Sequence, residues 1–133
     1  MHKRIAVLAI AALMGTFGVS TFAAVETVKG RLVDMGCYLK DAKNNLGAEH
    51  KECAQTCAKK GLQVALVVEE GARRALPGQP NTQNVYVVTG PLTNDNNAKL
   101  VPHMSHVVEL TGNVTWKDGI RISATDLKHV AGE

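Results

Sequence analysis

The sequence predicts a small, mainly β domain in which five short strands curl into an open barrel and one helix is inserted between the first two strands. Three observations predict it. Alternating, β-branched stretches recur at residues 25–34, 62–69, 84–89, 107–114 and 119–127, the period-two pattern of strands with one buried face. Gly30 and Gly112 stand inside two of these stretches, where a small sheet must bend to close on itself. Residues 48–60 form the single stretch that reads as a good helix. A sheet this small exposes unpaired edges unless it closes or nearly closes, so a five-stranded barrel of the oligonucleotide/oligosaccharide-binding (OB) type fits. A small open β-sandwich is the alternative. The usual OB arrangement puts its helix between strands three and four, whereas here the strong helix falls between strands one and two.

A leader precedes the domain. Met1, His2, Lys3 and Arg4 make a short basic start, residues 5–19 are almost wholly apolar or small, and Thr21 and Ala23 are small residues at the spacing of a cleavage site. This is the layout of a secretory signal peptide over residues 1–23. Its apolar run is short against the about 20 residues that span a bilayer, so no stable membrane anchor is expected after cleavage. The expected location is periplasmic or secreted. The mature chain, residues 24–133, is a single domain of about 110 residues with room for one modest core. The formal charge of +3 falls close to neutral once Lys3 and Arg4 are lost. Lys59-Lys60 and Arg73-Arg74 are isolated basic pairs, so nucleic acid is not an expected partner.

In the mature chain the first strand, 25–34, ends at Met35-Gly36 and delivers Cys37. Residues 41–47, with Asn44, Asn45 and Gly47, read as a loop. The helix over 48–60 has Glu49 and Glu52 near its start and Lys59 and Lys60 near its end, in keeping with the helix dipole, and Gly61 stops it. The second strand, 62–69, puts Leu62, Val64, Leu66 and Val68 on one face. Gly71, Pro77, Gly78 and Pro80 make residues 70–84 a loop, and 84–89 is the third strand. Residues 93–97 are a polar turn that continues toward Leu100. The fourth strand is 107–114. Lys117-Asp118-Gly119 is a hairpin turn, and the fifth strand places Ile120, Ile122 and Ala124 on one face before a frayed tail.

All three cysteines lie between Cys37 and Cys57, with fifteen residues between Cys37 and Cys53 and three between Cys53 and Cys57. In an oxidising compartment three thiols cannot all pair within one chain. Two chemistries suit the spacing. Cys37 can form a disulfide with Cys53 or Cys57, stapling the loop to the helix, a closure worth about 3 kcal/mol on the chain-entropy model. Alternatively Cys37, Cys53 and Cys57, with His50 or His103 as a further ligand, can hold copper or zinc, since three thiolates and an imidazole are a recognised zinc set and thiolates favour Cu(I). His50, Cys53 and Cys57 share one stripe of the helix. However, His50 and Cys57 are separated by about 10 Å of axial rise, and helical side chains lean toward the N-terminus. One ion is therefore not expected to reach both, and Cys37 must come in from across the loop.

The remaining candidates carry weaker signals. His103, Met104 and His106 form a His-Met-x-His run, a set of copper-binding side chains that also reads as a polar turn before strand four. His129 falls in the tail and is assigned no role. Tyr86 and Trp116 are too few for a stacking platform and read as core or rim. No Gly-x-Ser-x-Gly elbow, no Cys-x-x-Cys and no spaced acid–base set occurs, so no enzyme activity is expected.

The run His50-x-x-Cys53-Ala54-x-x-Cys57 behind Cys37, the following glycine and apolar strand, Pro102-His103, and Val-x-Leu-Thr-Gly ahead of the last hairpin together resemble small exported bacterial OB-fold-like proteins of uncharacterised function. The resemblance spans most of residues 28–127 and implies an OB-like domain and export, with no established activity. The closing strands show a weaker similarity to the periplasmic bacterial OB-fold family, which implies a binding module. The function expected is an exported small protein that binds a soft metal. The alternative is a disulfide-stapled module that binds a partner or small ligand without metal.

Overall fold

The computed structural model describes residues 24–68, 85–116 and 119–131. The leader expected over 1–23, the loop over 70–84 and the first two residues of the 117–119 turn lie outside them. Five strands, β1 (Ala24–Asp34), β2 (Val64–Val67), β3 (Val85–Thr89), β4 (Val107–Thr115) and β5 (Ile120–Ala131), close into a barrel in the order β1-β2-β3-β5-β4. The single parallel contact is between β3 and β5; the other four pairings are antiparallel. This is a small five-stranded OB-like barrel, closed rather than partly open, so no β-sandwich forms.

Closure depends on β1 serving two neighbours. Ala24 to Arg31 pair with β4, while Arg31 to Asp34 pair with β2. The hand-over falls beside Gly30, where a Cβ would lie 2.5 Å from the carbonyl oxygen of Val67. Only a residue without a side chain lets the backbones approach that closely. The barrel interior is filled by Leu32, Leu66, Val108, Leu110, Ile122 and their neighbours. Tyr86 belongs to this core, and Trp116 meets it edge-on with ring centroids 6.2 Å apart.

β2 is buried on both faces, although its alternation suggested one apolar face. The cause is a second, outer cluster. Val33, Ala65 and Val67 are covered by Met35, Tyr38 and Leu46. Met35 and Tyr38 belong to α1 (Met35–Lys40), a short helix that the sequence reading missed because Gly36 looks like a strand terminator. Asp34 caps it, accepting from the backbone N–H groups of Gly36 and Cys37 at 3.3 and 3.0 Å.

The expected helix is present as one 3₁₀ turn, Ala48–His50, leading into α2 (Lys51–Lys59). Ala54 and Ala58 are fully buried in the main core, and their size lets α2 lie close to the barrel. Gly61 stops α2 in a left-handed conformation, φ +76°. Asn97, itself buried in the β3–β4 connection, then donates to the carbonyls of Ala58 and Leu62 at 2.9 and 3.0 Å. It ties the end of α2 to the β3–β4 connection. Asn97→Ala should cost about 1–2 kcal/mol, because it removes two hydrogen bonds of a buried amide and leaves the Leu62 carbonyl without this donor, while Ala58 keeps the Gly61 N–H; the midpoint of urea unfolding measures it.

β5 runs to Ala131 and stays paired with β4, so the tail expected to fray does not end at residue 127. The β4–β5 register shifts between Thr111 and Gly112 and again between Val107 and Val108. These bulges decide which β5 side chains face the barrel's end.

Candidate metal centre

The outer cluster and the Asp34 cap hold α1 in place, and α1 carries Cys37. The following loop is fastened back onto it. Asn45 donates to the carbonyls of Cys37 and Asp41, both at 2.8 Å, and Asn44 donates to the Asp41 carboxylate at 2.6 Å. The chain then enters α2 facing Cys37 again. The buried stripe of α2 is Ala54 and Ala58. The adjoining stripe, Cys53 and Cys57, is left on the side where the other cysteine stands.

Two overlapping ligand groups result. Cys37, His50 and Cys53 place one ligand atom each within 4.8 Å of one another, and Asp34, Cys37 and Cys57 do the same. Cys37 is common to both. A tetrahedral ion with sulfur and nitrogen ligands holds its donors about 3.6 Å apart, a contraction that rotation about the side-chain bonds can supply. Neither group contains both His50 and Cys57, as the rise of seven helical residues requires. His103, expected as a further ligand from the β3–β4 connection, is in neither; it groups with His106 and His129 instead. Asp34 sits in the second group because, as the cap of α1, it stands beside Cys37.

All three cysteines are free thiols, Cys53 exposed and the other two half-buried. The imidazole Nε2 of His50 is buried with no hydrogen-bond partner among the described residues, where buried polar atoms normally have one. The electrostatics favour the protonated thiols. The Cys37 thiol is pushed up from 9.0 to about 12, first by its hydrogen bond to the Asp34 carboxylate, then by burial and by the neighbouring negative groups. Burial raises Cys57, reinforced by Asp34 and Cys53. A bound cation reverses this preference by taking the thiolates directly.

A pH dependence follows. The folded-state value of Cys37 lies above the ordinary one, so the protonated thiol supports the fold at lower pH, and that support fades as pH rises toward about 12. In the metal-free protein, alkylation of Cys37 by iodoacetamide should stay slow through about pH 8. In Asp34→Asn the rise in rate should move to lower pH, as read by peptide mass mapping.

The histidines lie elsewhere. His103 ends the turn Val101–His103, His106 precedes β4, and His129 lies opposite Val108 on β5. The His103 and His129 ring centroids are 5.7 Å apart and those of His106 and His129 5.1 Å. Burial lowers the pKa of His103 and of His106; His129 adds to the effect on His103, and Lys51 leads the charges that add to it on His106. Met104 is fully buried in the core, which removes it from any His-Met-x-His ligand set.

No family model, curated protein or solved structure matches this chain. Among the described residues no helix is long and apolar enough to cross a membrane.

Proposed function

We propose that this is an exported, non-enzymatic binding protein whose cysteine cluster takes up a soft transition metal, copper or zinc. Cys37 and Cys53 supply sulfur and His50 the nitrogen, while Cys57 stands with Cys37 and Asp34 in the overlapping group. The observation that carries this reading is the convergence of two ligand groups on Cys37, one of them containing a buried imidazole nitrogen that lacks any other partner. Soft thiolates select Cu(I) and Zn²⁺ over hard ions. In a small domain the metal also joins α1 to α2, so uptake and stability are coupled.

The second reading is a disulfide between Cys37 and Cys53 or Cys57 on a module that binds a partner or small ligand. It is favoured by the same proximity, since Cys37 shares a group with each of the other two cysteines. One experiment separates the readings. The mature protein is isolated from an oxidising compartment without chelator, and its mass is measured under native and denaturing conditions beside a thiol count. Bound metal with three thiols released on chelation supports the metal reading. A metal-free chain two hydrogens lighter, with one titratable thiol, supports the disulfide.

A further inference from the structure

The second histidine group has no part in the function proposed above, and its geometry is that of a site. Three elements deliver it. Ser105 adopts φ +65°, and the His106 N–H donates to the His103 carbonyl at 3.0 Å. This tight turn brings the two histidines to one side while Met104 between them goes into the core. His129 comes from the far end of β5. The bulge at Thr111/Gly112 inserts an extra β5 residue, which passes the phase of Ile120, Ile122 and Ala124 to Leu127 and to His129, itself exposed at the end of the strand. His129 therefore faces the same way as Val108, its cross-strand partner.

We propose that His103, His106 and His129 form a second metal site that takes a borderline divalent first-row ion, Zn²⁺ or Cu²⁺, and leaves an open coordination position toward solvent. Their ligand atoms lie within 4.8 Å of one another. Three imidazoles with no thiolate or carboxylate suit Zn²⁺ and Cu²⁺, and a three-histidine zinc site normally keeps its fourth position for water or a substrate. An independent observation points the same way. His106 Nδ1 is buried without a hydrogen-bond partner.

Lys51 acts as a competitor for this site. Its Nζ lies 2.8 Å from His106 Nε2, and an ammonium can only donate, so Nε2 accepts and the ring proton sits on Nδ1. An ion at Nε2 must displace Lys51. An ion at Nδ1 moves the proton to Nε2, where it opposes the ammonium. In either case Lys51 leaves, so removing its charge should tighten binding.

Zn²⁺ titration of the mature protein by calorimetry, with imidazole NMR resonances and thiol reactivity followed in parallel, tests the proposal. The expected result is an equivalent of Zn²⁺ that shifts the three imidazoles and does not protect thiols. His129→Ala and His129→Gln should both lose that equivalent while thiol protection is unchanged. Lys51→Met should bind the same equivalent several-fold more tightly. An imidazole response to inorganic phosphate but not to Zn²⁺, or an unchanged stoichiometry in both His129 variants, would overturn it. Thiol protection is read separately, so failure here is distinguishable from failure of the cysteine centre.

Discussion

Cys37→Ser should weaken metal binding at the cysteine centre by more than about 100-fold, beyond the 10–100-fold typical of outer-shell changes. Both ligand groups contain Cys37, so its loss leaves two donors in each. Cys57→Ser should be far milder, because Cys37, His50 and Cys53 remain together. The two substitutions are chemically alike, and both positions are half-buried. A large difference between them therefore reports the shared role of Cys37 rather than the general cost of losing a thiol. Competition with a chromophoric chelator measures both affinities. Equal losses would show that Cys37 and Cys57 contribute alike and that Cys37 is not the shared ligand.

Gly30→Val should destabilise the barrel by about 3 kcal/mol or more. The added Cβ meets the Val67 carbonyl oxygen at 2.5 Å and its carbon at 2.9 Å. Both are backbone atoms of a strand that is buried on both faces, so neither can yield without moving β2. For a domain of this size the melting temperature should fall by more than about 12 °C. Gly36→Ala is the control. Its Cβ would find only Asp34 Oδ1 at 3.7 Å, an ordinary contact, and it should melt within a few degrees of the wild type. Thermal unfolding followed by circular dichroism checks both.

The barrel was legible because its strands alternate and its bends are marked by glycine. Gly30 and Gly112 stand in the sequence where β1 changes neighbours and where the β4–β5 register shifts. The helix over 48–60 was legible from its charges and its stop at Gly61. Two features escaped for definite physical reasons. The cap that makes α1 a helix comes from Asp34 at the end of a strand, and the residue after Met35 is a glycine, so local propensity argued against a helix there. The period-two reading of Ile120, Ile122 and Ala124 stopped at Leu127 and left His129 in the tail without a role, whereas β5 runs to Ala131. One inserted residue at a bulge reverses that phase, and alternation alone does not reveal it.

The cysteine cluster was legible for a complementary reason. Helical rise already separated His50 from Cys57 and made Cys37 the necessary third party. The partner chosen for them was different. His103 was drawn toward the cysteines because Pro102-His103 is part of the resemblance, whereas the turn at Ser105 places it beside His106 and His129. Asp34 was not among the expected ligands, since nothing local marks a carboxylate at a strand end. Its position as cap of α1 puts it beside both Cys37 and Cys57.

The central claim is that sulfur from α1 and α2 meets on one ion. X-ray absorption at the zinc edge tests it most directly, using His129→Ala protein loaded with one equivalent of Zn²⁺ so that the histidine site does not contribute. The account predicts a shell dominated by sulfur at about 2.3 Å with a nitrogen at about 2.0–2.1 Å. A shell of nitrogen and oxygen alone, or zinc lost on desalting from protein whose thiols are all reduced, would contradict it.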